Sequence, residues 1–268
     1  MHRPLALYFI VLATMGLAVW QPSFSWLLPV SLLTLVSGVI CLWRAEGHSV
    51  RDLGLHRVAS WRRNVGWGLF AGLILPILLL TMQAVNGWIT LAPASLPMAG
   101  AAMVVLPEVV YMAFIAASEE LVFRGYFLQR LSFGQATGLA MLSSSLLWAL
   151  IHLPAMVDLG LSLVLVAIGM VTLIVWGVAL RIGFLHTGNT LWFPFGLHYG
   201  YNFSCSLIAG FVTIAHHAPR WLVGHPSWGP ESGLLGLLLW ITVLVAIWWS
   251  TGQEGRANKS ADELAKIG

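Results

Sequence analysis

Charged residues are scarce in this chain. Only 9% of its 268 residues are Asp, Glu, Lys or Arg, whereas 59% are hydrophobic, and the mean hydropathy is +0.85. A water-soluble globule of this size needs more polar surface than that composition supplies. The apolar composition also excludes a disordered chain and a coiled coil. The sequence therefore predicts a membrane protein.

Cysteine is almost absent as well. The two cysteines, Cys41 and Cys205, lie in apolar stretches and form no Cys-x-x-Cys or Cys/His pattern. Neither a disulfide scaffold nor a zinc finger is therefore indicated. The net charge is only +3, and the basic residues lie between apolar runs. That distribution is typical of membrane topology, so we expect no nucleic-acid partner.

Continuous apolar runs fill most of the chain. A transmembrane helix needs roughly 17 to 25 mostly apolar residues, and eight runs approach that length. Barrel strands would alternate apolar and polar residues, whereas these runs are continuous. We therefore predict an all-α, polytopic bundle of about eight transmembrane helices. The predicted spans cover residues 5–20, 26–43, 65–85, 108–131, 136–157, 159–180, 191–214 and 233–249.

Basic residues indicate the orientation of these spans. Five arginines lie between residues 44 and 63, a density typical of a cytoplasmic loop. With eight spans and both termini inside, twelve of the thirteen basic residues fall on or toward the cytoplasmic side, and only Arg220 falls outside. We expect one transmembrane domain over residues 1–250, with its motif core at about 101–214, and a polar cytoplasmic tail over 251–268.

Ionisable side chains inside a predicted span are candidate site residues, because burying them in a bilayer costs free energy. The fourth span contains Glu119, Glu120 and Arg124. Glu120 and Arg124 are i and i+4 on a helix, so their side chains can pair. Glu119 points about 100° away and is expected to lack a full partner, as suits a general base or acid. The alternative is a charge-neutralised cluster that only fastens helices together.

Two further spans contribute polar side chains. The fifth contains His152, and the seventh contains His198 and Asn202 four residues apart on one helix face. An imidazole and a carboxamide on one face can ligate a metal or donate hydrogen bonds to an oxyanion. Taken singly, each could equally bridge neighbouring helices. Glu108, at the predicted outer boundary of the fourth span, is interpreted as a side chain that reaches the membrane interface.

Together these motifs resemble the CAAX protease and bacteriocin-processing family, which includes the type II CAAX prenyl endopeptidases. The family pattern is EExxxR, then FxxxH, then HxxxN or HxxxD. Trp148 stands where the family usually has Phe, and we expect this aromatic replacement to change packing and not chemistry. The residues that match the pattern are Glu119, Glu120, Arg124, His152, His198 and Asn202.

The resemblance implies an intramembrane endopeptidase with its active site inside an eight-helix bundle. By analogy, Glu119 is the base that activates water, assisted by His152, while His198 and Asn202 bind the oxyanion. Glu120 belongs to the same catalytic set. Alternatively, Glu120, His152 and His198 could ligate one Zn²⁺, because the spacing does not decide between a cofactor-free glutamate mechanism and a metalloprotease.

The resemblance also implies a bacterial inner (plasma) membrane location, with the lipid bilayer around the protein. The expected substrate is a membrane-associated protein or peptide, cut near its C-terminal or transmembrane end, since a site within the bilayer selects apolar chains. The alternative function is a non-catalytic binding or immunity protein that uses the same fold to sequester a peptide or regulate a partner. A small transporter is less favoured, because the chain contains no internal repeat.

Overall fold

The computed structural model describes residues 6–10, 13, 27–91, 98–132, 137–209, 211–225 and 227–265. Its α-helices are α1 (Leu27–Ala45), α2 (Trp61–Val85), α3 (Met98–Glu120), α4 (Leu128–Ser132), α5 (Thr137–Leu150), α6 (Leu153–Asp158), α7 (Leu163–His186), α8 (Trp192–Ala209), α9 (Arg220–Val223) and α10 (Leu234–Ala265). A π-helix over Leu121–Phe127 joins α3 to α4, and 3₁₀ turns cover Val50–Leu53 and Pro230–Ser232.

Apolar helices dominate the structure. Large apolar side chains stay exposed on their outer faces, including Phe70, Leu142 and Leu238, as expected where lipid rather than water surrounds a bundle. The chain is therefore a helical membrane protein, which confirms the prediction from composition. Most of the predicted first span, at 5–20, lies outside the described residues. The helices long and apolar enough to cross a membrane are Trp61–Val85, Thr137–Asp158 and Leu163–His186, and shorter apolar helices cover Pro29–Ala45 and Leu234–Ser250.

Several predicted segments differ from the observed elements, three of them in the type or extent of structure at one end. The seventh span, 191–214, ends as a helix at Ala209, and Val212–Ile214 instead forms an antiparallel pair with Ile89–Leu91. Apolar patterning alone cannot distinguish a short buried strand from the last turn of a buried helix. The fourth span starts as a helix at Met98, ten residues before its predicted start. The last helix continues through the predicted polar tail as far as Ala265.

Two helices, α2 and α8, pack backbone to backbone. A Cβ atom built on Gly200 would lie 2.7 Å from the carbonyl oxygen of Leu69 and 3.1 Å from the amide nitrogen of Leu73, which is closer than a side chain tolerates. Small residues four apart allow this close approach between membrane helices. The contact uses a pair of glycines on each helix, namely Gly68 and Gly72 on α2 and Gly196 and Gly200 on α8.

The glycine contact determines where the polar residues of α8 lie. His198 lies between the two glycines of that helix, and Asn202 follows two residues after Gly200. Because the helix backbones touch, α8 cannot slide or rotate against α2 without a steric clash. The contact therefore holds His198 and Asn202 in register with the rest of the bundle.

Aromatic rings fill the space on the other side of α8. Trp176 of α7 stacks on Trp240 of α10, with ring centroids 4.4 Å apart, and Tyr201 of α8 lies 4.7 Å from Trp176. The ring of Trp148 on α5 meets Trp176 edge to face at 5.2 Å. These four buried rings join α5, α7, α8 and α10 into one core. A polar side chain that projects into this core is shielded from water on most sides.

We expect Gly72→Leu to destabilise the fold, because overpacking costs about 1–3 kcal/mol even where side chains can adjust and here the obstacle is backbone. The measurement is the melting temperature of the purified protein in detergent. Gly66→Leu is the matched control, since Gly66 is on the same helix with open space around its Cα. Equal melting temperatures for the two variants would contradict the proposed role of the glycine contact.

Candidate active site

Two adjacent carboxylates end helix α3. Glu119 and Glu120 are its last residues, and the backbone then widens into the π-helix at Leu121–Phe127, all of which is buried. π-Helical turns are rare and often lie at functional sites. One carbonyl oxygen in this segment, that of Phe123, accepts a hydrogen bond from the Ser144 hydroxyl of α5 at 2.6 Å. The widened turn is therefore anchored to α5 directly beneath the carboxylates.

Glu120 is fully buried, and one of its oxygens has two partners. Nη1 of Arg124 donates to Oε1 at 2.8 Å, and Nδ1 of His198 lies 2.8 Å from the same oxygen. The guanidinium of Arg124 also lies 4.4 Å from the centroid of the Trp148 ring, in a cation–π contact. The predicted i, i+4 pair is thus present. Because a buried carboxylate needs compensating charge, Arg124 is the residue that makes this burial tolerable.

Glu119 has a hydrogen-bond partner that the sequence analysis did not foresee. Its side chain is 6% exposed, and Nε1 of Trp148 donates to Oε2 at 2.5 Å. The expectation was that Glu119 lacks a full partner, and this donor is a neutral N–H group rather than a counter-charge. The expectation that Trp148 changes only packing is wrong, because the hydrogen bond uses an N–H group that phenylalanine lacks. The same Glu119 oxygen lies 3.8 Å from Nε2 of His198.

His198 is therefore placed between the two carboxylates. An ionised carboxylate only accepts hydrogen bonds, so Nδ1 carries the proton that Glu120 receives. Nε2 is on the opposite side of the ring and faces Glu119. The imidazole is almost completely buried and packs edge to face against Trp148 and Trp176 at 5.5 and 5.3 Å. Its orientation is thus set by one carboxylate and two indole rings.

His152 lies at the break between α5 and α6. Pro154 follows it near the start of α6, which explains why the fifth span is interrupted here. Nδ1 of His152 lies 2.9 Å from the carbonyl oxygen of Trp148, and a carbonyl can only accept. Nδ1 is therefore the protonated nitrogen, and Nε2 of the neutral ring is an acceptor without a hydrogen bond among the described residues, in a half-buried side chain.

An open cavity of about 560 Å³ brings three of the predicted residues together. His152, His198 and Asn202 line it. Glu119 and Glu120 are not part of the lining and lie behind the rings of Trp148 and His198, which do line it. The cavity is thus the space in which a bound chain would meet both histidines and the carboxamide.

The three residues considered as zinc ligands do not form a preorganised site. Within the described ranges, no group of three or more His, Cys, Asp and Glu side chains is arranged to hold a metal ion. Oε1 of Glu120 is engaged by Arg124 and by Nδ1 of His198, so this carboxylate oxygen is not open to a metal ion. As placed, Glu120, His152 and His198 therefore do not fit a three-ligand zinc site.

Two further carboxylates lie close to the cavity. Oε2 of Glu108 accepts a hydrogen bond from Ser206 at 2.6 Å, so Glu108 faces α8 and the interpretation that it reaches for the interface is wrong. Glu231, in the turn before α10, lines the cavity itself and accepts a hydrogen bond from Tyr201 at 3.3 Å. Glu231 lies outside the apolar runs, where a charged residue is not in itself a sign of a site, so the sequence alone did not indicate it.

A known protein family matches the part of the chain that contains the motifs. Residues 101–204 match the family described as Type II CAAX prenyl endopeptidase Rce1-like. This range contains the two carboxylates, both histidines and Asn202. Comparisons with the curated proteins and with the solved structures found no match. The family resemblance inferred from the three motifs is thereby confirmed.

Loss of the Arg124 guanidinium should destabilise the protein. Arg124→Ala leaves the Glu120 carboxylate buried without its cation, and breaking a buried ion pair costs about 3–5 kcal/mol. We expect less folded protein in the membrane and a lower melting temperature in detergent. Adding Glu120→Gln to Arg124→Ala removes the stranded charge and should recover part of the loss. If the double variant is no more stable than Arg124→Ala, the charge pair is not the source of the stability.

Proposed function

We propose that this chain, whose residues 101–204 form a domain of the Rce1-like type II CAAX prenyl endopeptidase family, is an intramembrane endopeptidase. It hydrolyses a peptide bond near the C-terminal or transmembrane end of a membrane-associated protein or peptide. The observation that carries this proposal is the buried cluster of Glu119, Glu120 and His198 beside an open cavity that His152 and Asn202 also line. Burying ionisable side chains in a membrane protein costs free energy, so their presence indicates a functional site.

Glu119 is the proposed general base. It takes a proton from a water molecule while the water oxygen attacks the carbonyl carbon of the scissile bond. The same proton is then delivered to the leaving amine as the C–N bond breaks, so the carboxylate is regenerated. His152, whose free Nε2 can accept a hydrogen bond, orients the attacking water. The indole N–H of Trp148 holds Glu119 in position at Oε2.

His198 and Asn202 are the proposed oxyanion ligands. They line the same cavity from one face of α8. In its imidazolium form, His198 donates from Nδ1 to Glu120 and still has an Nε2–H to offer to an oxyanion. In that form the cluster contains two carboxylates, one guanidinium and one imidazolium, a neutral set that suits a low-dielectric site. Glu120 and Arg124 act by positioning His198 rather than by contacting substrate.

The proposed membrane arrangement follows the basic residues. A single transmembrane domain covers residues 1–250, with a motif core at about 101–214, and the tail 251–268 is cytoplasmic. Eight spans put both termini on the cytoplasmic side of a bacterial inner membrane, with the active site inside the bundle. The support is the density of arginine between residues 44 and 63, which is typical of a cytoplasmic loop.

We expect Glu119→Gln and His152→Ala each to abolish cleavage of a membrane-associated substrate by the purified protein, because each removes a group that handles the water. Glu46→Gln is the matched control, since Glu46 pairs with Arg130 at the surface and is remote in sequence from the motifs. Each variant should accumulate and melt like wild type. Wild-type cleavage by both active-site variants would overturn the proposal.

The same assay with a strong zinc chelator separates the two mechanisms. A glutamate mechanism predicts that cleavage persists in the chelator and is lost only in the variants. Loss of wild-type cleavage in the chelator, with recovery on adding Zn²⁺, would instead identify a metalloprotease. A wild-type protein that binds the peptide tightly and cuts it under neither condition would favour the sequestering function.

Trp148→Phe tests the positioning of Glu119. Loss of one hydrogen bond to a charged group costs about 1.5–3 kcal/mol, so kcat should fall by about tenfold or more while KM stays near wild type. Trp176→Phe is the matched control, because its buried Nε1 has no hydrogen-bond partner in the part of the chain that the structure describes. An equal fall in kcat for both variants would show that only ring volume matters at these positions.

A further inference from the structure

We infer that the cavity contains a second recognition site, in which Glu231 receives a positively charged side chain of the substrate, a lysine or arginine close to the scissile bond. The inference rests on the proposed function in that it names the chemistry of the bound chain. It concerns a residue outside the range that matches the family, and it is argued from burial, neighbours and charge.

Glu231 is buried at the cavity wall by a loop shaped around it. Its side chain is 8% exposed, in the 3₁₀ turn Pro230–Ser232. Gly229 has a φ of +127°, and a Cβ atom on it would lie 2.6 Å from Oε1 of Glu231. Only glycine is compatible with both the backbone angle and the space. The turn therefore leaves room for this carboxylate and holds it at the cavity.

No lysine or arginine balances the Glu231 carboxylate from the described cavity lining, and the His198 imidazole is already directed to Glu120 and Glu119. Arg124 is already paired with Glu120 on the far side of Trp148. Tyr201 donates one hydrogen bond to Oε2, at 3.3 Å, and a neutral hydroxyl does not supply charge. A buried carboxylate without a counter-charge is costly, and an arriving ammonium or guanidinium would provide one.

The surroundings of Glu231 also suit a cation. Trp228, three residues before Glu231 in the preceding loop, and Trp176 of α7 both line the cavity, and indole faces attract ammonium and guanidinium groups. Burial raises the pKa of Glu231 to about 7. A cation bound beside it would favour the ionised carboxylate and form a charge-assisted hydrogen bond with it. An anionic side chain would be repelled from the same position.

The position of Glu231 indicates how far the recognised cation lies from the scissile bond. Tyr201, which donates to Glu231, is three residues beyond His198 on α8, and Trp176 packs against both of these rings. One helical turn advances about 5 Å, and an extended chain covers that distance in about two residues. The recognised basic residue is therefore expected within about two residues of the bond that is cut.

The test uses three peptides that differ at one position near the expected cleavage site, where they carry lysine, norleucine or glutamate. Norleucine keeps the aliphatic chain and lacks the ammonium. We expect wild type to cut the lysine peptide with a kcat/KM about tenfold or more above that of the norleucine peptide, as for one charged hydrogen bond, and the glutamate peptide least. Glu231→Gln, which keeps the shape, should bring the lysine-to-norleucine ratio to about one.

Glu108→Gln is the control for this ratio, because Glu108 is near the cavity but already accepts a hydrogen bond from Ser206. It should retain the lysine preference. Glu231→Gln could keep the wild-type lysine-to-norleucine ratio, either with unchanged rates or with both peptides cut more slowly by the same factor. In either case the carboxylate is structural and the inference fails. If Glu108→Gln abolishes the preference as fully as Glu231→Gln, recognition is by general negative charge and the inference also fails.

Equilibrium binding separates the inference from the proposed function. The affinity of the same labelled peptides for detergent-purified protein requires no turnover. If wild type cuts none of the peptides but binds the lysine peptide about tenfold or more tightly than the norleucine peptide, and Glu231→Gln removes the difference, the inference stands and the protease proposal fails. If wild type cuts the norleucine peptide as well as the lysine peptide and binds them equally, the protease proposal stands and the inference fails.

Discussion

The buried carboxylate of Glu120 is the interaction on which the arrangement of the site depends. One of its oxygens accepts from Arg124 within the π-helical turn and meets His198 from α8, at 2.8 Å in each case. The contact therefore joins the end of α3 to a helix nearly 80 residues further along the chain. Because the charge is buried, it cannot exchange these partners for water without a large cost. Arg124 and His198 are therefore both placed relative to this fixed point.

Glu120 can hold His198 in one position only if α8 does not shift. The glycine pairs on α2 and α8 bring the two backbones into contact, and close contact of this kind permits only one register. The buried ion pair and the glycine contact thus constrain α8 from two sides, one by charge and one by shape. His198 lies between the two glycines of α8, and Asn202 lies two residues beyond the second of them. The geometry of the cavity wall follows from both constraints together.

Some of this was predictable from sequence and some was not. Membrane character, the helical class and the Glu120–Arg124 pair follow from composition and i, i+4 spacing, which are local properties. The hydrogen bond from Trp148 to Glu119 joins residues 29 positions apart, and no local pattern encodes it. The burial of Glu231 could not be predicted from apolar runs, because this residue lies in a turn outside them. The strand pair at Ile89–Leu91 depends on a partner more than 120 residues away.

The two adjacent carboxylates differ because of what surrounds each of them. Glu120 is held by a guanidinium and an imidazole, so its charge is already committed to structure. Glu119 accepts from a neutral indole N–H and lies 3.8 Å from His198 Nε2, without a cation of its own in direct contact among the described residues. A neutral donor orients a carboxylate without neutralising its charge, so the carboxylate can still accept a proton. This asymmetry supports the proposal that Glu119 transfers the proton and Glu120 positions His198, a division of roles that two neighbouring residues of the same type could not have without different partners.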